Sequence, residues 1–88
     1  MKTMYCARFS TNDISAVEVE LDMGVSIRVV NGKLQPKSTE NFTHCDTWQQ
    51  AVDALVKYWT DEAIWAEEKA AYYHKQASEA RALAKVQP

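Results

Sequence analysis

The chain has 88 residues, 47% of them apolar, with three tryptophans and a net charge of −2 from ten bases and twelve acids. That allows one small domain with a core near the lower limit of self-sufficiency, and it is too rich in large apolar residues for a disordered segment. The balance excludes acidic mimicry of nucleic acid by bulk charge, and it lacks the basic excess of a strong phosphate binder.

No apolar run is long enough for a signal peptide or a membrane span. The expectation is therefore a cytoplasmic protein without membrane contact, with Cys6 and Cys45 reduced and the Asn41-Phe42-Thr43 sequon unused.

The first half has the period of strands. Tyr5, Ala7 and Phe9 alternate with Met4, Cys6 and Arg8; Val17, Val19 and Leu21 alternate with Ala16, Glu18 and Glu20; Val25, Ile27 and Val29 follow the same rule. Alternation of this kind sets one face on a core and the other in water. The turn signals agree. Thr11-Asn12-Asp13 supplies the first turn, Asp22-Met23-Gly24 suits a three-residue loop, and Asn31-Gly32 suits a two-residue type I′ turn. The expected register places Leu21 opposite Val25, Val19 opposite Ile27, Glu18 opposite Arg28, and Val29 opposite Leu34, with both of the last pair inward. Pro36 ends the fourth strand or confines it to an edge. Phe42–Cys45 adds a short strand or simply approaches the helix.

The period then changes. Asp46 or Thr47 caps a helix, and Gln49 three residues after Asp46 fits a capping box. From Trp48 the apolar positions Val52, Leu55, Trp59, Ala63, Ala66, Ala70, Tyr73, Ala77, Ala80 and Ala84 recur at steps of three and four. No glycine or proline interrupts residues 37–87. The fold class is thus α+β in a single domain: an N-terminal antiparallel meander of three to four strands (residues 1–45), then one long C-terminal helix (residues 46–86). Thr60-Asp61-Glu62, which resembles a second helix start, marks the place where that helix would break.

A second stripe, Tyr58, Trp65 and Tyr72, runs beside the first at intervals of seven. Either it is the edge of one broad apolar face, or it is a contact surface. A helix of this length would overhang so small a sheet, which favours contact. Tyr58, Asp61, Glu62, Trp65, Glu68 and Tyr72 are the candidate partner-binding residues; Ala66, Ala70, Tyr73 and Ala77 are candidates for pairing with a second helix or a second copy.

Residue types for catalysis do not assemble into a motif. Gly24 and Gly32 cannot form a phosphate loop. His44 and Cys45 are adjacent and would point to opposite faces of a strand. Cys6, His44 and Cys45 could contribute to a metal site only if the first and last strands met, without CxxC or HxxxH spacing in support. The expectation is no enzyme, no metal, no cofactor and no small-molecule substrate. A β-β-β-α nucleic-acid module is the runner-up from another class, opposed by Glu18 and Glu20 beside Arg8 and Arg28.

The succession of a short meander, "CDTWQQAVDALVKYW" and "AEEKAAYYHKQASEARALAK" resembles small accessory proteins of phages and mobile elements, and is similar in size and style to some anti-CRISPR proteins. The resemblance covers most of the chain as style and carries no motif. It implies a stoichiometric inhibitor that binds a host or defence protein complex. The competing expectation is a homodimeric regulatory or structural protein with paired helices.

Overall fold

A computed structural model describes residues 2–66 and 69–87, and it is α+β with the strands first. Five strands, β1 (Lys2–Arg8), β2 (Asp13–Asp22), β3 (Ser26–Val29), β4 (Leu34–Pro36) and β5 (Phe42–Cys45), form one antiparallel sheet in the order β4-β3-β2-β1-β5. Phe42–Cys45 is a full strand, paired with β1 through Tyr5↔Cys45, Cys6↔His44, Ala7↔Thr43 and Arg8↔Phe42.

The sheet does not stay open. Past Pro36 the Lys37 N–H still donates to the Val25 carbonyl at 3.0 Å, while the Lys37 carbonyl accepts the His44 backbone N–H at 2.9 Å. Ser38 then bridges Thr43, and the Thr39 N–H donates to the Phe42 carbonyl at 2.8 Å. One continuous segment thus leaves β3 and joins β5, which curls the sheet into a small barrel. Its closure explains why both faces of β1 are buried, against the expectation of one wet face. Tyr5 and Ala7 lie under the helices, so Met4 and Cys6 between them point the other way, yet Met4 is fully buried and Cys6 is 7% exposed. With Val19, Ile27, Val29 and His44 they fill the interior.

The register differs from the sequence reading. β2 and β3 pair as Val19↔Val29, Leu21↔Arg28 and Asp22↔Ile27, with an irregularity between Val19 and Leu21. One extra residue there, Glu20, rotates the end of the strand to the opposite face. Leu21 therefore turns outward, and Arg28 pairs with Glu20 at 3.3 Å rather than with Glu18. Leu34 stands beside Arg28, not Val29, and is 66% exposed. At Asn31-Gly32 only the glycine has positive φ (85°), and the Gly32 N–H closes a turn onto the Val29 carbonyl. That is a three-residue connection rather than a type I′ turn. Gly24 is left-handed as expected (φ 88°), its N–H donating to Asp22 Oδ1.

Asp22, carried inward by the irregularity, becomes a hub. Lys37 Nζ lies 3.0 Å and Lys2 Nζ 3.3 Å from its Oδ2, and Lys2 also reaches Asp46 at 3.1 Å. The Gly24 amide and the Lys37 ammonium hold its carboxyl down at about 2.

Helix α1 (Trp48–Trp65) starts at Thr47, whose Oγ1 accepts the Gln50 N–H while Gln50 Oε1 accepts the Thr47 N–H. This is a capping box one residue later than Asp46–Gln49. The helix passes Thr60 unbroken; the Thr60 hydroxyl donates to the Val56 carbonyl within the same helix. The change of direction comes at Ala66 instead. Helix α2 (Ala70–Ala82) returns antiparallel along α1 and ends in a short 3₁₀ turn, Leu83–Val86. Trp48 Nε1 donates to the Leu83 carbonyl at 2.8 Å, and Trp59 stacks on Tyr73 with centroids 5.7 Å apart. The expected overhang is thereby folded back: alanines on α2 supply the close approach, with Ala77 and Ala80 essentially fully buried and Ala80 packed with Ala51 and Leu55.

Candidate functional site

The helical hairpin leaves the barrel at one defined place. The β1–β2 turn ends in Asn12, which sits in the left-handed region (φ 51°) that asparagine tolerates better than most residues. Its Oδ1 accepts the Trp59 indole N–H at 3.0 Å, and its Nδ2 donates to the Gln76 carbonyl and to Gln76 Oε1 at 3.1 and 3.0 Å. One side chain therefore joins the turn to both helices. Around it the rings form a continuous cluster. Phe9 stacks on Tyr58 at 4.5 Å, Tyr58 meets Trp59 edge-on, and Trp59 meets Tyr72 edge-on at 6.2 Å.

Beyond this anchor α1 runs six further residues, a rise of roughly 9 Å, to Trp65. Ala63 is still buried, but Ile64 is 68% and Trp65 86% exposed, with Tyr72 half-exposed across from them on α2. The described residues of the tip thus show an exposed apolar surface of Ile64, Trp65 and Tyr72 on a stem anchored through Asn12 and Trp59. By sequence, residues 61–69 carry four acids and one lysine. Asp61 is exposed and pairs with Lys57 at 2.7 Å, and Glu62 is half-buried.

The structure divides the candidate residues. Trp65 and Tyr72 belong to the open tip, flanked by Asp61 and Glu62. Tyr58 instead packs inward on Phe9, where burial, reinforced by Glu62, raises its hydroxyl pKa. Glu68 lies outside the described residues. Of the pairing set, Tyr73 and Ala77 face α1 of the same chain, while half-buried Ala66 and Ala70 flank the turn between the helices. Ile64 is not marked by the sequence pattern because it falls on neither stripe; only its position beside Trp65 near a helix end would have singled it out. Asn12 was marked in sequence only as part of the Thr11-Asn12-Asp13 turn, and its partner Gln76, 64 residues away, gave no local signal.

β1 and β5 do meet, which brings Cys6 and His44 into register on the inner face, with Cys45 on the outer one. The His44 Nδ1 lies 2.9 Å from the Lys37 carbonyl and so donates to it. Among the described residues no group of three or more His, Cys, Asp or Glu could hold a metal ion, and no helix is long and apolar enough to cross a membrane. At the exposed end of β1 Arg8 pairs with Asp13 at 3.0 Å, and on β3 Arg28 pairs with Glu20 at 3.3 Å.

Compared with known protein families, curated proteins and solved structures, the chain matches none.

Proposed function

We propose that this chain is a non-enzymatic protein-binding module that engages its partner through the hairpin tip. The observation that carries the reading is the pairing of Trp65 with Ile64, both largely exposed on a stem fixed by Asn12 and Trp59. Covering an indole and its neighbour removes on the order of 200 Å² of apolar surface, about 5 kcal/mol before the costs of association. Exposed aromatics of this kind are the usual anchors of protein interfaces. The acidic sequence through residues 61–68 suits a partner with basic side chains around an apolar pocket.

The partner class we propose is a host or defence protein complex that the module occupies stoichiometrically, as the resemblance to anti-CRISPR proteins implies. The experiment is capture with immobilised wild-type protein against two variants, Trp65→Ala and Leu34→Ala, the latter removing another exposed apolar side chain, on the sheet rather than at the tip. A partner retained by wild type and Leu34→Ala but lost with Trp65→Ala supports the reading. A partner that ignores Trp65→Ala refutes it.

A further inference from the structure

The joint between the two helices is written in sequence as helix. No glycine or proline falls between residues 37 and 87, and the apolar steps Trp59, Ala63, Ala66, Ala70, Tyr73, Ala77 pass through it without a slip. Local closure is correspondingly poor. α1 ends on Ala66 at φ −128°, ψ 80°, without the left-handed residue that commonly closes a helix, and with no base in its last turn. The N-cap of α2, Lys69, makes no side-chain capping bond, and the first turn of α2 has no acid. The start of α1, by contrast, has a complete capping box.

One backbone bond, Lys69 N–H to the Ala66 carbonyl at 3.1 Å, spans the joint; the other contacts that hold α2 back on α1 are tertiary: the indole of Trp48 on Leu83, Trp59 on Tyr73, and Asn12 on Gln76. Each of these tertiary contacts could be made equally well by the α2 of another copy. A short joint whose residues favour continuation is the setting in which identical elements exchange between chains.

We infer that the chain forms an exchanged dimer, in which α1 and α2 run on as one helix and each α2 docks on the α1 of the second copy. Extending the antiparallel pairing of Trp48 with Leu83 and Trp59 with Tyr73 brings Ala66 beside its own counterpart. The two joints then lie together, with the Ala66 of each chain on the shared seam and Ile64, Trp65 and Tyr72, exposed in the single chain, beside the second copy's joint. The second copy is the occupant of the tip in this form. The inference goes beyond the proposed function, and the two states compete, because the exchanged dimer no longer presents a hairpin tip.

The test is refolding of the full chain from urea at low and high concentration, followed by sizing with light scattering. Expected are a 10.0 kDa species and one of twice that mass, the latter favoured by high concentration during refolding. Tagged and untagged dimers should form hybrids after a denaturant pulse but only slowly in native buffer, since α2 must leave α1 to exchange. The double variant Ala66→Gly/Lys69→Gly should stay monomeric, its dimer dissociation constant raised roughly a thousandfold by four glycines in continuous helix.

A chain that is monomeric under all refolding conditions overturns the inference. So does a dimer that survives both glycines, or one that forms hybrids rapidly without denaturant, because those are contacts between intact surfaces. If the double variant fails to fold, the hybrid experiment on wild type decides alone. A folded monomeric variant keeps its tip, so its partner capture separates this inference from the proposed function.

Discussion

The side-chain oxygen of Asn12 accepts the indole N–H of Trp59 at 3.0 Å, across 47 residues of sequence, while the amide of the same side chain holds Gln76. Both ends of that contact are partly buried. Asn12→Ala removes two partners at once and forces a less tolerant residue into the left-handed region. An unmet buried donor or acceptor costs about 1–3 kcal/mol, so a loss of roughly 2–4 kcal/mol in urea unfolding is expected. Asn12→Gly keeps the backbone conformation and isolates the side-chain part. Equal stability of Asn12→Gly and wild type would show that the hairpin is anchored elsewhere.

Two tryptophans six residues apart should behave in opposite ways. Trp59 is 8% exposed and surrounded by Tyr58, Tyr72 and Tyr73; Trp65 is 86% exposed. Trp59→Ala should cost about 3–5 kcal/mol, whereas Trp65→Ala should stay within roughly 0.5 kcal/mol of wild type. Steady-state fluorescence gives a second readout. Trp65→Phe should remove the red-shifted, iodide-quenchable part of the emission and leave a blue, protected remainder. An unchanged spectrum would place Trp65 inside the protein.

How much of the fold is legible in the sequence depends on how local each determinant is. The strand period of Tyr5–Phe9, the left-handed glycines and the helical spacing after Thr47 are set by near neighbours, and all survive in the structure. The register does not survive, because Glu20 is indistinguishable from its neighbours in sequence and only closure of the barrel makes it the extra residue. The helix turn at Ala66 was equally hidden: the local residues favour continuation, and the reward for turning back is the packing of Ala77 and Ala80 on α1. For the site, Trp65 and Tyr72 were visible as a stripe, but Tyr58 on the same stripe is drawn inward by Phe9. Barrel closure can be tested directly. Val29→Ala should cost roughly 1–3 kcal/mol, and Leu34→Ala close to nothing, although the simple hairpin register treats the two as equivalent. Equal costs would restore that register.

The Asp22 hub gives the fold an acid sensitivity of known sign. Its carboxyl pKa falls from 3.8 to about 2 on folding, first through the Gly24 amide and next through Lys37. A depressed carboxyl contributes stability that is fully present above its unfolded value and is lost as pH falls through the folded one. Thermal midpoints should therefore drop between about pH 4 and pH 2. Asp22→Asn should be less stable than wild type at pH 7, with a flatter profile across that window. If the two profiles run parallel, the hub contributes no linkage and other carboxylates govern acid unfolding.

The cysteines offer a check on strand pairing that needs no substitution. Cys6 pairs with His44 and Cys45 with Tyr5, so the two thiols sit on adjacent strands but on opposite faces of the sheet. Their side chains diverge, and a disulfide needs Cβ atoms about 3.5–4.5 Å apart. Burial raises the pKa of both, and Cys6 lies inside the barrel while Cys45 is only half-buried under the helix. Both should therefore react with a maleimide more slowly than in urea, Cys45 ahead of Cys6, and mild oxidation of the folded chain should leave both thiols titratable. Recovery of an intramolecular Cys6–Cys45 bridge from native protein would mean that β1 and β5 separate, or pair one residue out of this register, since only a shifted register puts both sulfurs on one face.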